Sequence, residues 1–187
     1  KQETTPPMTD RPWLSAYPDG VPADIDPTQY ASLVELMEES FGKFADRCAY
    51  SFLGKDTTFG QTDTQSRALA AYLQSLGLTK GDRVAIMLPN VLQYPIAVAA
   101  VLRAGFVVVN VNPLYTPHEL QRILIDSGAN TLVVLANVAH NAAAILGHTA
   151  VRSVVLTQMG DLLGWFRGSL INLLVRHVKR LVKPHHF

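Results

Sequence analysis

Six side chains that could line a ligand pocket lie at the ends of two apolar runs, over residues 84–88 and 106–111. They are Pro89, Asn90, Asn110, Asn112, Pro113 and Tyr115. If both runs are parallel strands, these residues lie at the carboxyl ends, where an open parallel sheet binds its ligand. The alternative is that the Asn-Pro pairs only end strands and begin helices, which is the simpler interpretation from position alone.

The glycine pattern does not support a phosphate-binding loop. Such a loop needs glycines directly before a helix, because only bare backbone can aim several N–H groups at one anion. The sequence contains neither GxxxxGK followed by Ser or Thr nor GxGxxG. The nearest approach, LGLTKGD over 76–82, precedes a predicted strand and therefore indicates a tight turn. The main sequence evidence for dinucleotide binding is therefore absent.

Nucleophilic and metal chemistry are equally unsupported. No GxSxG elbow is present, and His140 and His148 lack the i, i+4 spacing of a helical metal pair. His177, His185 and His186 near the end of the chain are expected to be solvated rather than to bind metal. On these residues the chain cannot be a complete enzyme.

The composition is that of a folded protein without overall attraction for nucleic acid. Of its 187 residues, 48% are hydrophobic and 17% are charged, with a formal net charge of +1. The single cysteine, Cys48, cannot form an internal disulfide and is expected to be packed. No secretory signal pattern opens the sequence, so a cytoplasmic location is expected. The uncharged run over 84–102 contains two prolines, so it is predicted to fold as strand, turn and helix and not to span a bilayer.

Apolar runs alternate with helical patterns from residue 58 onward. Strands are predicted over 84–88, 106–111, 131–135 and 151–157, and helices over 58–77, 90–104, 117–127 and 137–147. Continuous apolar strands separated by helices of about ten to fifteen residues indicate a parallel sheet covered on both faces. The predicted fold class is α/β, doubly wound, with a mainly parallel sheet and helices on both faces.

Capping motifs predict where several helices start. The pairs with the right spacing are Thr58 and Gln61, Asn90 and Gln93, and Thr116 and Glu119. Pro117 suits the first helical position after Thr116. Upstream, a helix is predicted over 28–46 and strand-like pieces over 49–59.

Basic charge is concentrated near the end of the chain. Residues 162–187 contain five basic residues and no acidic one. A helical projection of 170–183 places apolar residues on one side and basic residues on the other. Candidate membrane contacts are Trp165, Phe166, Arg176, Lys179, Arg180 and Lys183. The segment is predicted either to lie on an anionic membrane surface or to pack on the protein's own core.

The stretch KGDRVAIMLPNVLQYPIAVAAVLRAGFVVVNVNPLYTPHEL, over 80–120, closely resembles the N-terminal part of bacterial long-chain fatty-acid CoA ligases. These are AMP-forming acyl-CoA synthetases of the adenylate-forming superfamily. WLSAYPDGVPADIDPTQYASLVELMEESFGKFAD, SRALAAYLQSLGL, DSGAN and VRSVVLTQMGD extend the resemblance over nearly the whole chain. VNVNPLYTP, with the leader and the basic helix, is typical of the fatty-acyl branch, although His118 stands where that branch is expected to have arginine.

The resemblance implies that the full-length protein activates a fatty acid with ATP to an acyl-adenylate and passes the acyl group to coenzyme A. ATP, Mg²⁺ and coenzyme A are implied for that enzyme, with magnesium offsetting the phosphate charge, and none is expected to be bound to this chain. The family's Ser/Thr/Gly-rich phosphate loop, its adenosine contacts and its mobile C-terminal domain lie after the region present here. No catalytic, cofactor or metal residue is transferred to this sequence, and the chain is expected to be an inactive piece of a longer protein.

Three segments are expected: an extended, proline-rich leader over 1–27, an α/β N-terminal subdomain over 28–160, and a basic amphipathic helix and tail over 161–187. The resemblance implies that VNVNPLYTP faces the cleft that the missing subdomains complete. Its residues are expected to act mainly as structural scaffold and secondarily as a pocket wall. An incomplete sheet exposes apolar surface, so a homo-oligomer is expected. The basic helix favours a peripheral position on the inner face of the membrane.

Three other interpretations stay open. The first is another adenylate-forming ligase, acting on an aryl or medium-chain acid, against which the leader and the basic helix argue. The second is a non-catalytic module that binds a membrane surface or another protein. The third is a nicotinamide oxidoreductase, and the missing glycine fingerprint counts against it.

Overall fold

The computed structural model describes residues 11–184 and 186–187. The chain is divided into two compact units, with the boundary between Ala31 and Ser32. In the first unit a 3₁₀ helix spans Pro12–Ala16, and Arg11 pairs with Asp24 at 2.6 Å. Residues 1–10 of the predicted leader and His185 of the predicted tail lie outside the described residues. The segments 1–27, 28–160 and 161–187 stay predictions.

Helices and strands alternate along the second unit. The helices are α1 (Leu33–Lys43), α2 (Phe59–Ser75), α3 (Gln93–Arg103), α4 (Pro117–Ser127), α5 (Ala139–Ala143) and α6 (Trp165–Leu173). A 3₁₀ helix over Leu146–His148 follows α5, and a π-helical turn over Leu174–Val178 continues α6. The strands are β1 (Cys48–Phe52), β2 (Lys55–Thr58), β3 (Arg83–Met87), β4 (Val107–Asn110), β5 (Thr131–Leu135) and β6 (Ser153–Thr157).

Strands β3 to β6 form a parallel sheet in the order β4-β3-β5-β6, and β1 and β2 form a separate antiparallel hairpin. Val84 of β3 is paired with Val108 on one side and with Thr131 on the other. The chain therefore moves from β3 to one neighbour and then returns to the other neighbour. Such a change of direction is where doubly wound sheets bind ligands at their carboxyl ends. The predicted fold class is confirmed.

Apolar side chains cover both faces of this sheet. The cluster under α2 and α3 includes Leu73, Val84, Ile86, Val101 and Val133. The cluster under α4 and α5 includes Ala85, Leu120, Leu124, Leu132 and Ala142. Successive residues of a strand point to opposite faces, so a strand without polar alternation serves both cores.

Two helix starts agree with their capping motifs. Thr58 accepts a hydrogen bond from the backbone N–H of Gln61 at 3.1 Å, and the Gln61 side chain accepts one from the backbone N–H of Thr58 at 3.1 Å. Thr116 and Glu119 make the same reciprocal pair, at 3.4 and 2.9 Å. Gly128 ends α4 with a φ of 61°, a left-handed conformation that suits glycine. These predictions are confirmed.

The predicted cap at Asn90 is wrong. Helix α3 begins at Gln93, and its N-cap residue, Leu92, has a helical conformation and makes no side-chain cap. The Gln93 side chain instead donates hydrogen bonds to the carbonyl of Gln158 at 2.8 Å and to the hydroxyl of Thr157 at 3.3 Å. These bonds tie the start of α3 to the end of β6, a long-range contact that local spacing cannot indicate.

Other boundaries shift by a few residues. Helix α1 begins at Leu33 rather than at residue 28, because Ser32 caps it by accepting from the backbone N–H of Glu35 at 3.1 Å. Thr28 instead donates to the carboxylate of Asp26. The helix predicted over 137–147 is interrupted after Ala143, and β6 begins two residues later than predicted.

The terminal helix differs from the prediction at both ends. It was expected over 170–183, but α6 starts at Trp165 and its π-helical continuation stops at Val178. Arg180 has a φ of 50°, which ends helical geometry there. Three of the predicted basic contacts, Lys179, Arg180 and Lys183, therefore lie beyond the helix.

A contact between two glycines explains the early start of α6. Gly160, in the turn after β6, touches Gly168 of α6 so closely that a Cβ on either would collide with the carbonyl oxygen of the other. The backbone N–H of Gly160 also donates to Oδ1 of Asn172 at 2.8 Å, and Nδ2 of Asn172 donates to Asp161 at 3.1 Å. Only the absence of side chains lets the helix approach this turn, so we call this contact the glycine clamp.

We expect the free energy of unfolding to decrease as the pH falls below about 4, because ordered carboxylates titrate there. Hydrogen bonds from the backbone N–H and hydroxyl of Thr116 lower the pKa of Glu119, and those of Thr79 lower the pKa of Asp82. A lowered folded-state pKa gives stabilisation that is present above the unfolded pKa and is lost as the pH falls through the folded one.

The variant Glu119→Gln tests this dependence. Gln61 shows that a glutamine completes the same capping motif without a titrating group. We therefore expect the variant to fold with α4 capped, and its unfolding free energy, measured by urea titration with circular dichroism, to vary less with pH below about 4. A pH dependence identical to that of the wild type would contradict the assignment.

Candidate functional site

An apolar cleft of about 640 Å³ lies between α1, the β1–β2 hairpin and the first part of α3. Helix α1 contributes Leu36, Met37, Ser40 and Phe41, and the hairpin contributes Tyr50, Ser51 and Phe52. Val91, Leu92, Tyr94, Pro95, Val98 and Ala99 form the wall on the side of α3. Its volume and its mainly apolar walls are those of a small-molecule pocket. We call it the apolar cleft.

One end of the apolar cleft is polar and lies where β3 and β4 end. Asn90 follows β3, Asn110 is the last residue of β4, and both line the cleft. The hydroxyl of Tyr94 donates to Oδ1 of Asn110 at 3.1 Å. Because β3 and β4 are parallel neighbours, their carboxyl ends meet at this point. Two of the six predicted wall residues are thus brought together.

The other end of the apolar cleft is aromatic. The rings of Phe41 and Phe59 are 6.5 Å apart, and both line the cleft. The guanidinium of Arg103, the last residue of α3, lies 5.6 Å from the ring centroid of Phe41. The lining of the cleft therefore includes amides near the start of α3 and a phenylalanine that contacts the last residue of that helix.

An ion cluster around the buried side chain of Arg103 joins the helices that form these walls. The side chain of Arg103 is 6% exposed and lies 2.7 Å from Asp63 of α2 and 3.9 Å from Glu38 of α1. Arg67, whose side chain is 58% exposed, also binds Asp63, at 3.0 Å. Burial by itself raises the pKa of Asp63, but hydrogen bonds from Arg67 and Arg103 outweigh it and hold that pKa below its usual value.

The remaining predicted wall residues take part in turns. The Oδ1 atom of Asn112 accepts from a backbone N–H two residues further on, as in an Asx turn. Tyr115 lines a separate groove along α4, and its carbonyl accepts from Asn141 at 3.2 Å. Pro113 lies between these two residues, and the carbonyl of Pro89 accepts a turn hydrogen bond. Their place in a functional site stays a prediction.

The walls that α1 and the hairpin provide were not predicted from the sequence. Phe41 and Phe59 belong to elements far apart in the sequence, so only the fold brings their rings together. Tyr94 lies in the uncharged run over 84–102 with no neighbouring motif. The one available signal was the accumulation of aromatic residues between Phe41 and Phe59.

The apolar cleft suits binding better than chemistry. Within the described residues no charged side chain lines it. Across residues 11–184 and 186–187, no group of three or more His, Cys, Asp or Glu is placed to hold a metal ion. The arrangement can hold an apolar molecule and orient a polar head group, and no metal ligand is assigned to these residues.

A second exposed area is formed by α6 and the residues after it, and we call it the terminal surface. Trp165 and Phe166 are 87% and 70% exposed. The apolar residues Leu170, Leu173, Leu174, Val178 and Leu181 are exposed as well. Arg176, Lys179, Arg180 and Lys183 are also exposed. Gly168 is buried in the glycine clamp, so the helix packs through a narrow face.

None of the helices in the described part of the chain is both long enough and apolar enough to cross a membrane.

Residues 37–171 match the family model of AMP-binding enzymes. The long-chain-fatty-acid–CoA ligase of Escherichia coli O157:H7 is 51% identical over 175 residues, which are 93% of this chain and 31% of that relative. The ligase of the same name from Bacillus subtilis is 39% identical over 166 residues, 89% of this chain and 30% of the relative. The chain thus spans about 31% of the length of the first relatives.

More distant similarity extends to other acids and to solved structures. The 4-coumarate–CoA ligase 5 of Oryza sativa subsp. japonica is 34% identical over 121 residues, 62% of this chain and 22% of that relative. The crystal structure of a long-chain-fatty-acid-CoA ligase from Archaeoglobus fulgidus matches with a TM-score of 0.65 and 28% identity, covering 75% of this chain and 30% of the other. An anthranilate CoA ligase structure matches with the same TM-score of 0.65 at 22% identity, over 68% of this chain and 25% of the other, and shares the fold.

Proposed function

The chain belongs to the AMP-binding enzyme family, and from that premise we propose that it is the N-terminal part of a long-chain fatty-acid CoA ligase. The observation that carries the proposal is the 51% identity, over 93% of the chain, to the long-chain-fatty-acid–CoA ligase of Escherichia coli O157:H7. The apolar cleft supports it, because a long-chain acid needs an apolar binding surface.

In the proposed reaction a carboxylate oxygen of the fatty acid attacks the α-phosphorus of ATP, and pyrophosphate leaves. The thiol of coenzyme A then displaces AMP from the acyl-adenylate and forms the thioester. Magnesium accompanies the nucleotide and offsets its phosphate charge. The described residues offer no ligand set for this ion. This chain's own part is to shape the cleft and the carboxyl end of the sheet.

The acid preference of the longer protein tests the proposal. With ATP and coenzyme A, we expect kcat/KM for oleate to exceed that for 4-coumarate by on the order of a hundredfold or more. A preference for 4-coumarate would favour an aryl-acid ligase, the alternative that the 34% identity to the rice enzyme supports. Formation of no thioester from any acid would favour the non-catalytic module.

We further propose that the longer protein is cytoplasmic and that the terminal surface contacts an anionic membrane. Its exposed tryptophan and phenylalanine suit the interface between headgroups and acyl chains. The basic residues that follow them add attraction to anionic lipids, about 1 kcal/mol each near the surface. The absence of acidic residues over 162–187 leaves this attraction unopposed within the segment.

Vesicle binding tests the membrane contact. Arg176→Gln with Lys179→Gln should weaken association with vesicles containing anionic lipid by roughly thirtyfold at low salt, because two charges are lost. Lys55→Gln with Arg122→Gln removes the same charge elsewhere on the second unit and serves as the matched control. Equal losses in both double variants, or equal binding to zwitterionic vesicles, would contradict a contact at the terminal surface.

We also propose that the chain self-associates, because β4 and β6 are the edge strands of the sheet among the described residues and several large apolar side chains are exposed. Light scattering should show a mass that rises with protein concentration. A monomer at every concentration would contradict this proposal.

A further inference from the structure

We propose that the segment following α6 forms a site for a phosphomonoester, held by Arg176, Lys183 and His186. Together with Val182 and Pro184, these residues line a pocket of about 290 Å³, which we call the terminal pocket. The inference goes beyond the proposed membrane contact, which needs only net positive charge on the terminal surface. It rests on that contact only where the phosphomonoester belongs to a lipid.

A reversal of the chain brings the three side chains to one pocket. The π-helical turn at the end of α6 contains Arg176, and the chain leaves it through Arg180, whose φ of 50° is left-handed. The backbone N–H of the next residue donates to a carbonyl of that turn at 3.0 Å. The following residues are thereby directed back, and Lys183 and His186 line the same pocket as Arg176.

Two uncommon backbone features occur at this reversal. A π-helical turn is rare and is frequently found at functional sites. A residue other than glycine is strained at a positive φ, as Arg180 is, and such strain is concentrated at ligand sites, where the surroundings hold the chain in one conformation. Pro184 also restricts Lys183 to extended conformations. An ordinary helix end would need none of these features.

The three side chains supply complementary donors for a phosphate group. The planar guanidinium of Arg176 presents parallel N–H groups that match two oxygens of one phosphate. Lys183 adds a compact positive charge, and His186 has a ring N–H that can donate to a third oxygen. A phosphomonoester has three terminal oxygens and carries about −1.5 to −2 charges at pH 7. It therefore uses these donors more fully than a phosphodiester, which has two free oxygens.

Little negative charge opposes an anion in the terminal pocket. No acidic residue is present over 162–187, and among the described residues no acidic side chain lines the pocket. Free carbonyl groups at a helix end would repel a phosphate. Here the carbonyl of Leu174 accepts from the backbone N–H of Lys179 at 2.8 Å, and that of Val175 accepts from the backbone N–H of Leu181 at 3.0 Å. The positive side chains therefore determine which ligand the pocket accepts.

Lys183 and Lys179 form a matched pair for a binding test. Both are exposed lysines of the terminal surface, and only Lys183 lines the terminal pocket. Glycerol phosphate should bind to this chain and shift the ring protons of His186 in an NMR titration at constant ionic strength. Lys183→Gln should weaken this binding roughly tenfold, because a charge-assisted hydrogen bond is lost, and Lys179→Gln should change it by less than about twofold.

The variant Arg176→Lys separates recognition from net charge. It keeps the positive charge but loses the planar pair of donors, so we expect binding of glycerol phosphate to weaken by roughly fivefold. Circular dichroism should show the helical content of the wild type in all three variants, because the substituted side chains are exposed. Wild-type affinity in Arg176→Lys would contradict the assigned role of the guanidinium and overturn the proposal.

Vesicles identify the source of the phosphomonoester. Phosphatidic acid carries a phosphomonoester and phosphatidylserine carries a phosphodiester, so vesicles of the two lipids are compared at equal surface charge. A preference for phosphatidic acid that Lys183→Gln removes and Lys179→Gln keeps would identify a lipid headgroup. Binding of glycerol phosphate without that preference would identify a soluble ligand. Both results support the site.

Other results separate the site from the membrane contact. Equal losses in Lys183→Gln and Lys179→Gln would overturn the proposal, because charge anywhere on the segment would then suffice. If vesicles bind with no preference between the two lipids and glycerol phosphate does not bind, the membrane contact stands and the site fails. If glycerol phosphate binds through Lys183 and no vesicle binds, the site stands and the membrane contact fails.

Discussion

Replacement of Arg103 by methionine should lower the free energy of unfolding by about 2–3 kcal/mol. The guanidinium is buried, and it binds both a side-chain oxygen of Asp63, at 2.7 Å, and the backbone carbonyl of that residue, at 3.2 Å. Methionine keeps the apolar stem but leaves the carboxylate and the carbonyl without this donor. Since Arg103 also lies over Phe41, the change should loosen the aromatic end of the apolar cleft.

Arg67→Met is the matched control, because Arg67 binds the same carboxylate from the surface. An exposed ion pair contributes little, so this variant should lose much less than Arg103→Met in urea unfolding at neutral pH. In the double variant Arg103→Met with Asp63→Asn, the combined loss should be smaller than the sum of the two single losses, because both changes remove the same interaction. Equal losses for the two arginines would show that burial of Arg103 does not strengthen its interaction.

Alanine at Gly168 should destabilise the docking of α6 by about 1–3 kcal/mol. The added methyl group would collide with the carbonyl oxygen of Gly160, and both partners are backbone that cannot rotate away. Hydrogen exchange followed by mass spectrometry should show faster exchange over 165–178. If α6 unfolds together with the core, the free energy of unfolding should be lower as well.

Gly42→Ala makes the same chemical change, but we expect it to stabilise the protein. Gly42 lies inside α1, and a Cβ there meets no atom within 4 Å. Alanine has the higher helix propensity, so this variant should gain about 0.5–1 kcal/mol. If Gly168→Ala were stabilising as well, the glycine clamp would not be the contact that positions α6.

The parts of the fold that local chemistry determines were predictable from the sequence. Reciprocal hydrogen bonds within four residues mark the starts of α2 and α4, and the four apolar runs predict the strands of the sheet to within two residues at each end. These signals are contained in short stretches, so a single sequence displays them.

Elements set by long-range contacts were not predictable. Asn90 has the spacing of a cap, but Gln93 bonds to Gln158 some sixty residues away and α3 starts there instead. The start of α6 depends on the contact between Gly160 and Gly168. Neither glycine has a local sequence signal, because the contact exists only in the folded chain. Helical projection of 170–183 could not detect either constraint.

The candidate site was predictable at one end only. The position of Asn90 and Asn110 after two apolar runs indicated the carboxyl edge of the sheet, and both residues line the apolar cleft. The body of the cleft is built by α1 and the hairpin, whose packing against α3 has no local sequence signal. Leu36 and Phe41 therefore had no functional prediction.

The exchange of labelled pyrophosphate into ATP tests the central claim most directly, because it reports the acid-dependent formation of an adenylate. We predict exchange by the longer protein that depends on oleate, and none by residues 1–187 alone. Exchange by the longer protein that needs no fatty acid, or the absence of exchange with every fatty acid, would contradict a fatty-acid-activating ligase.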